Sequence, residues 1–256
     1  WCGPGAASAA PMKVTVDKVQ GTVQVSKGSG WAALKNGDSV PVGADVKTGA
    51  ASSCILKWAG GNVIKVTPMS TVSVSAETTA SGDEKSSVNL KQGKVNAHAK
   101  KLSTAGSSFN VKTPTAVAGV RGTDILAEIQ AGNVSFAVSD GQLELTIGDE
   151  VFMLEDGFLV SVDPNGAFTE PVPIPQEMLE ELKSEFEALK LEAGQDSGDD
   201  SGDQGGEDGA EDIPHEDVSG SIDGILDDVV NNAVVESAQP VITGDVEVII
   251  YLDNQR

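Results

Sequence analysis

Residues 113–124, TPTAVAGVRGTD, organise the interpretation of this 256-residue chain. A β-prone run at 109–111 leads into the stretch, and another at 125–129 follows it. Glycine is favoured where the backbone needs a positive φ or a close approach. Arg121 is the only arginine before the C-terminal residue, and its planar guanidinium suits backbone carbonyls or a carboxylate. Two interpretations stay open: Arg121 ties strands or a corner together, or it is an exposed ligand anchor.

The sequence predicts β-structure throughout, from about residue 13 to residue 168, and five short runs in it alternate apolar and polar residues with period two, which is typical of half-buried strands. Turn dipeptides such as Asn36-Gly37, Gly60-Gly61, Asp140-Gly141 and Asp156-Gly157 separate these runs at intervals of about ten residues. Many short strands at this spacing predict an all-β domain, either a β-sandwich, a jelly roll or a β-roll. The alternating runs are 14–16, 22–25, 71–76, 134–138 and 143–147.

Six short motifs occur in the order typical of the FecR family, named after the iron-dicitrate regulator, and the resemblance covers roughly residues 13–168. The motifs are 21–23 with Trp31, 34–38 with 42–49, 56–64, 90–95, the stretch ending in V-x-G-V-R-G-T-D, and 138–143.

The FecR resemblance implies an extracytoplasmic, jelly-roll-like domain, and FecR proteins relay an outer-membrane signal to a sigma factor across the inner membrane. We expect the hallmark to organise this domain; its residues are Gly119, Arg121, Gly122, Thr123 and Asp124. The sequence shows no cytoplasmic helical segment, membrane span or receptor-contacting region of the family. This difference favours a free-standing protein that is secreted, at the cell surface or in the periplasm of a bacterium.

Charge is distributed unevenly along the chain. Residues 1–174 hold 14 basic and 16 acidic residues, whereas residues 175–256 hold 3 basic and 23 acidic residues. Nucleic-acid binding needs clustered lysine and arginine, so the acidic balance argues against it. It also disfavours docking on anionic lipid. Divalent cations and basic partners remain compatible with the composition.

Two cysteines, Cys2 and Cys54, predict one disulfide between the N-terminus and the β-domain if the protein is exported. A lipidated Cys2 and two free thiols are the alternatives. The sequence contains no apolar run of the roughly 18 residues that predict a transmembrane helix, and no signal peptide is recognisable.

Five segments follow from these patterns: an N-terminal arm at 1–12, the β-domain at 13–174, a helix at 175–194, an acidic linker at 195–217 and a C-terminal segment at 218–256. The helix carries an apolar stripe that packs either on the chain's own sheet or on a neighbouring subunit. The stripe consists of Met178, Leu179, Leu182, Phe186, Leu189 and Leu191. Gly194 is a candidate helix C-cap.

The linker contains ten carboxylates and no lysine or arginine. This composition predicts a solvated, self-repelling tether. The alternation of Asp with Gly also resembles oxygen-rich calcium loops, although the EF-hand spacing is not met. The candidate calcium ligands are Asp199, Asp200, Asp203, Glu207 and Asp208; no other cofactor is expected.

A helix near 222–234 and a strand at 246–252 are predicted in the last segment. The strand is the most β-prone stretch of the chain. An apolar strand of this kind causes aggregation unless its backbone groups pair with another strand. It therefore returns to its own sheet or adds to the sheet edge of another subunit. We expect one face to carry Val246, Val248, Ile250 and Leu252, and the other Ile249 and Tyr251.

No catalytic constellation is recognisable, because His98 and His215 lack ligand or nucleophile partners at a suitable spacing. The sequence therefore favours a non-enzymatic, extracytoplasmic protein that self-associates by strand exchange into an oligomer, filament or surface polymer. The alternative is a monomeric envelope module for binding or sensing, related to FecR-type signal transduction, with other envelope proteins as partners.

Overall fold

The computed structural model describes residues 10–11, 13–27, 30–101 and 104–194. The predictions for Cys2, for the candidate calcium ligands and for residues 246–252 lie outside these residues. The elements are β1 (Ala10–Pro11), β2 (Val14–Gln20), β3 (Val23–Lys27), β4 (Gly30–Ala33), β5 (Ser39–Val40), β6 (Asp45–Thr48), β7 (Ser53–Trp58), β8 (Val63–Val66), β9 (Thr71–Thr78), β10 (Glu84–His98), β11 (Ser108–Lys112), β12 (Val117–Val120), β13 (Asp124–Gln130), β14 (Asn133–Asp140), β15 (Gln142–Ile147), β16 (Glu150–Glu155), β17 (Phe158–Val162), β18 (Val172–Pro173) and α1 (Gln176–Gly194).

The strands pair into two sheets that share β10. Sheet 1 has the order β4–β3–β6–β9–β10–β11–β12–β15–β16, and β1 also pairs with β9. Sheet 2 has the order β5–β2–β7–β8–β10–β13–β14–β17–β18. All of these pairs are antiparallel except β10 with β11, which is parallel. Because β10 belongs to both sheets, all strands form one hydrogen-bonded network.

Strand β10 leaves sheet 1 and enters sheet 2 at Gly93. Its first part pairs with β9 up to Gln92, with an irregularity between Leu90 and Gln92. From Gly93 onward it pairs with β13 instead. Gly93 has a φ of +81°, which glycine adopts without steric cost.

The core lies between the two sheets and is built from the inward-facing residues of each strand. Strand β7 shows the alternation clearly, because Cys54, Leu56 and Trp58 are buried while the intervening residues are half-buried. Trp58 of sheet 2 meets Phe109 of sheet 1 edge to face, with ring centroids 5.5 Å apart. Contact between the two inner faces makes the domain a β-sandwich.

Helix α1 covers the outer face of sheet 2. Its buried residues Met178, Leu182, Phe186 and Leu189 form a second apolar cluster with sheet residues. The sheet contributes Val63, Leu126, Ala137 and Leu159, and the connection before the helix contributes Ile174. Sheet 2 is therefore buried on both faces here, and β14 is buried without alternation from Val134 to Ser139.

The sequence prediction of an all-β domain followed by a helix is confirmed. Within the predicted apolar stripe, Leu179 is half-buried and Leu191 is 70% exposed, because Leu191 lies off the face that meets sheet 2. Strand β1 extends sheet 1 into the segment that the sequence assigned to an N-terminal arm.

Replacing Gly93 with alanine is expected to destabilise the domain by about 3 kcal/mol, since a left-handed φ and overpacking each cost roughly 1–2 kcal/mol. A Cβ at this position would lie 2.7 Å from Ser70 Cα. Gly43 is the matched control, because its φ is +78° and no atom lies within 4 Å of the added Cβ. Urea unfolding measures both variants, and an equal loss for G43A and G93A would contradict the steric argument.

Candidate functional site

The hallmark forms a tight turn between β12 and β13. Gly122 takes a φ of +70°, and Thr123 is 1% exposed and donates from Oγ1 to the Gln142 carbonyl at 2.8 Å. A Cβ on Gly141 would lie 2.9 Å from the Gly122 carbonyl oxygen, so both turns need glycine for their close approach. Gly119 lies earlier, within β12, opposite Glu144.

Neighbouring connections pack against this turn. Ala99 donates its backbone N–H to the Thr123 carbonyl at 3.1 Å, and Lys100 donates its own to Asn62 Oδ1 at 3.0 Å. A Cβ on Gly122 would lie 2.8 Å from Lys101 Cγ, which places the Lys101 stem over the hallmark glycine. We call residues 59–62, 99–101, 121–123 and 141 the loop end.

The loop end presents three exposed cations, Lys100, Lys101 and Arg121. The structure records no ion pair between any of these side chains and another described residue. Two carboxylates share this end, Glu84 beside Gly60 and Asp140 at the end of β14. An unpaired guanidinium keeps its planar donor fork available for a carboxylate or phosphate.

Behind the loop end, Asp124 joins three elements. Its side chain is 3% exposed, and its Oδ1 accepts a hydrogen bond from His98 Nδ1 at 2.6 Å. Its Oδ2 lies 2.9 Å from Lys190 Nζ on α1. Asp124 therefore links β13 to β10 and to the last turns of the helix. We call these three residues the helix latch.

The latch affects the protonation of Lys190. Its partial burial alone would lower the pKa, but the hydrogen bonds to Asp124 and Glu187 outweigh this effect and raise the pKa above its usual value. A lysine with a raised pKa contributes its stability below the unfolded-state value and loses it as the pH rises through the folded-state value. The latch is therefore fully formed at neutral pH.

Further polar contacts hold the rest of α1. Glu185 accepts hydrogen bonds from Lys65 at 3.0 Å and from Asn96, and the Glu192 carbonyl accepts one from Lys57 at 3.3 Å. Asn96 Oδ1 and Glu181 Oε2 are buried without a hydrogen-bond partner among the described residues. The helix is thus held by polar contacts along its length and by the latch at its end.

Neither a metal centre nor a reactive thiol emerges from the described part of the chain. No group of three or more His, Cys, Asp or Glu residues is arranged there to hold a metal ion. Cys54 lies on the core side of β7 with no disulfide partner among the described residues, and burial raises the pKa of its thiol to about 12. The pairing with Cys2 stays a prediction. Within the described ranges no helix is both long enough and apolar enough to cross a membrane.

Sequence reasoning named the hallmark but missed its partners. Lys100 and Lys101 lie beside the hallmark turn because β10 crosses from sheet 1 to sheet 2 before it ends. Nothing in their local sequence indicates this position. The pairing of Asp124 with His98 is equally invisible, because it depends on the register between β10 and β13.

Comparison with known proteins relates the central part of the chain to one family. Residues 44–144 match the family model described as "FecR protein", so the FecR resemblance read from the sequence is confirmed over this range. The match covers less than half of the chain, and over this range the chain is similar to the FecR family.

Two crystal structures of a "putative anti-sigma factor" from Parabacteroides distasonis ATCC 8503 are similar to this chain, each at 16% identity. Their TM-scores are 0.44 and 0.43. Each match spans 50% of this chain and 59% of the solved one. Comparison with curated proteins gave no match.

Replacing Asp124 with asparagine should lower the free energy of unfolding by about 2–3 kcal/mol. Removing one partner of a buried ion pair costs roughly 3–5 kcal/mol, and the partial exposure of Lys190 reduces this loss. Asp149, exposed in the β15–β16 turn, provides the control, and D149N should change stability by less than about 0.5 kcal/mol. Equal urea midpoints for the two variants would show that the latch contributes nothing.

Proposed function

We propose that this protein is a non-enzymatic, extracytoplasmic binding or sensory module of the FecR type, with the loop end as its binding surface. The observation that carries the proposal is that Arg121 is exposed and has no ion pair within the described residues. The residues that follow it in the hallmark, Thr123 and Asp124, are buried. They fix the hallmark turn, so the guanidinium is presented from a well-ordered base. Ligand sites are commonly placed in this way, on loops held by a rigid scaffold.

The chemistry of the loop end favours a partner that offers carboxylates. Lys100 and Lys101 add charge without directional preference, whereas Arg121 adds a bidentate donor fork. An acidic surface of another envelope protein fits this arrangement. The extracytoplasmic location rests on the family, whose domains act as sensor domains outside the cytoplasm.

A photo-cross-linking amino acid at Ala105 tests the proposal. Ala105 is exposed, and the turn at 104–107 that contains it contacts Asp83 and Glu84, of which Glu84 lies beside Gly60 of the loop end. The full chain is irradiated with an envelope extract of the producing organism, and a discrete adduct is expected at position 105. Adding R121Q should reduce the adduct roughly ten-fold, as expected for the loss of about 1.4 kcal/mol from a charged contact.

Two controls make the result specific. The same cross-linker at Asp149, at the opposite end of sheet 1, should give no corresponding adduct, and K112Q should leave the adduct at position 105 unchanged. Equal adducts at both positions, or an adduct at position 105 that R121Q does not reduce, would refute the loop end as the binding surface.

A second candidate function is self-assembly by strand exchange through residues 246–252. The observation that favours it is strand β16, which among the described strands pairs only with β15. Val151 and Met153 on β16 are 61% and 49% exposed. Unprotected apolar edges of this kind accept additional strands.

Sedimentation separates the two candidates. Under strand exchange, the intact chain should form oligomers or filaments, whereas a chain ending at Gln239 should stay monomeric; both are run with and without calcium to test the acidic linker. M153K on the β16 edge should weaken assembly by placing a charge on the pairing surface, and K112Q serves as its control. Two monomeric chains would exclude strand exchange and leave the binding module.

A further inference from the structure

The path of α1 places the acidic linker beside the loop end. Lys57, Val63, His98 and Asp124 lie side by side across sheet 2. The last turns of the helix lie over this row, because Lys190 contacts Asp124 and Lys57 contacts the Glu192 carbonyl. Lys100 follows His98 by two residues, and Arg121 precedes Asp124 by three. Helix α1 therefore ends over this row, close to the end of the sandwich that carries the three cations, and its Glu192 side chain lies 3.8 Å from Lys18 of β2.

The charge of the segment that begins there is opposite to that of the loop end. Residues 196–217 contain ten carboxylates and no lysine or arginine, and Asp196 is only two residues beyond the last residue of α1. The attraction is local, because residues 1–174 as a whole hold 14 basic and 16 acidic residues, so only the three cations of the loop end supply it. Carboxylates near these cations gain Coulomb energy that salt screens within roughly 10 Å.

Glu84 and Asp140 share the loop end, but among the described residues neither forms an ion pair with Lys100, Lys101 or Arg121. Asp83 lies nearby, but its carboxylate accepts hydrogen bonds from Ser81 and Thr104, each at 2.6 Å. Lys100 contributes only its backbone N–H to a recorded contact, with Asn62. The side chains of Lys101 and Arg121 have no recorded ion pair among the described residues, which leaves both available to an incoming carboxylate.

From these observations we infer that the acidic linker, residues 196–217, docks on Lys100, Lys101 and Arg121 of its own chain and competes there with acidic partners. The inference rests on the proposed function in treating the loop end as a binding surface. The effective concentration favours the linker, because an intramolecular ligand on a short tether acts at millimolar levels or above. A partner must therefore displace the linker, which raises the partner concentration that is needed for binding.

Carbodiimide cross-linking of the full chain tests the contact, because the reagent joins a carboxylate to a lysine amine only when they touch. Lys100 and Lys101 should be linked to residues 196–217 at least about five-fold more than Lys35 and Lys112, which are exposed and lie outside the loop end. Raising the salt from about 20 mM to about 500 mM should abolish the difference, because the Debye length falls well below the spacing of these charges. Equal linkage at all four lysines would overturn the inference.

A paired set of variants controls for general charge loss. The double variant K101Q/R121Q should lose most of the linkage at Lys100, whereas K35Q/K112Q, which removes the same charge, should not. A mixture of isotopically heavy and light chains identifies the source of the linker. Links within one chain support the inference, and links exclusively between chains would overturn it.

The photo-cross-linking experiment keeps this inference distinct from the proposed function. If the linker docks but no partner adduct forms at Ala105, the binding-module proposal fails while the docking inference stands. If the adduct forms and carbodiimide finds no linker at the loop end, the docking inference alone fails. Where both hold, replacing the linker carboxylates with amides should increase the partner adduct several-fold.

Discussion

The sandwich depends on one strand that crosses between its sheets, and a group of buried hydroxyls fixes the crossing. Ser70 is fully buried and lies against Gly93; its Oγ accepts from the Lys94 N–H at 2.9 Å. Thr67 Oγ1 donates to the Lys94 carbonyl at 3.0 Å, and Thr48 Oγ1 donates to the Thr67 carbonyl at 2.6 Å. Backbone groups freed at a sheet crossing would otherwise be buried without partners, which costs about 1–3 kcal/mol each. The hydroxyls allow β10 to change sheets inside the protein.

The crossing also positions the candidate site. The second half of β10 carries Asn96 and His98 to the outer face of sheet 2, where α1 lies, and continues into Lys100 and Lys101. The same strand therefore supplies residues that hold the helix and residues that form the loop end. His98 lies opposite Asp124 in the register between β10 and β13. The Asp124 carboxylate contacts both His98 and Lys190, so it connects the hallmark turn to α1.

The sequence was sufficient for those parts of the fold that depend on local pattern. Alternating residues predicted half-buried strands such as β9 and β15, and the 3.6-residue stripe predicted α1. Strands β13 and β17 are less regular in sequence, because the helix buries their outer face and removes the polar half of the alternation. The run at 134–138 was expected to be half-buried, but β14 is buried on both faces there for the same reason. The 15-residue β10 contains a glycine that would ordinarily indicate a turn. Only the three-dimensional neighbours Ser70 and Thr67 make that glycine a crossing point.

Of the candidate site, the hallmark residues could be predicted from the sequence. The positions of Lys100, Lys101 and His98 could not, because they depend on the register between strands that are distant in the sequence.

The folded unit is larger than the segment that matches the family. Residues 44–144 include β6 to β14 and part of β15, yet β7 pairs outside this range with β2, and β14 pairs outside it with β17. A fragment limited to the matched residues would expose those strand edges and the apolar outer face at Leu126 and Ala137, which α1 covers. The flanking strands and the helix are therefore integral to the domain. Since Asp124 belongs to the hallmark and binds Lys190 outside the matched range, the family motif in this chain also anchors the helix from which the acidic linker departs.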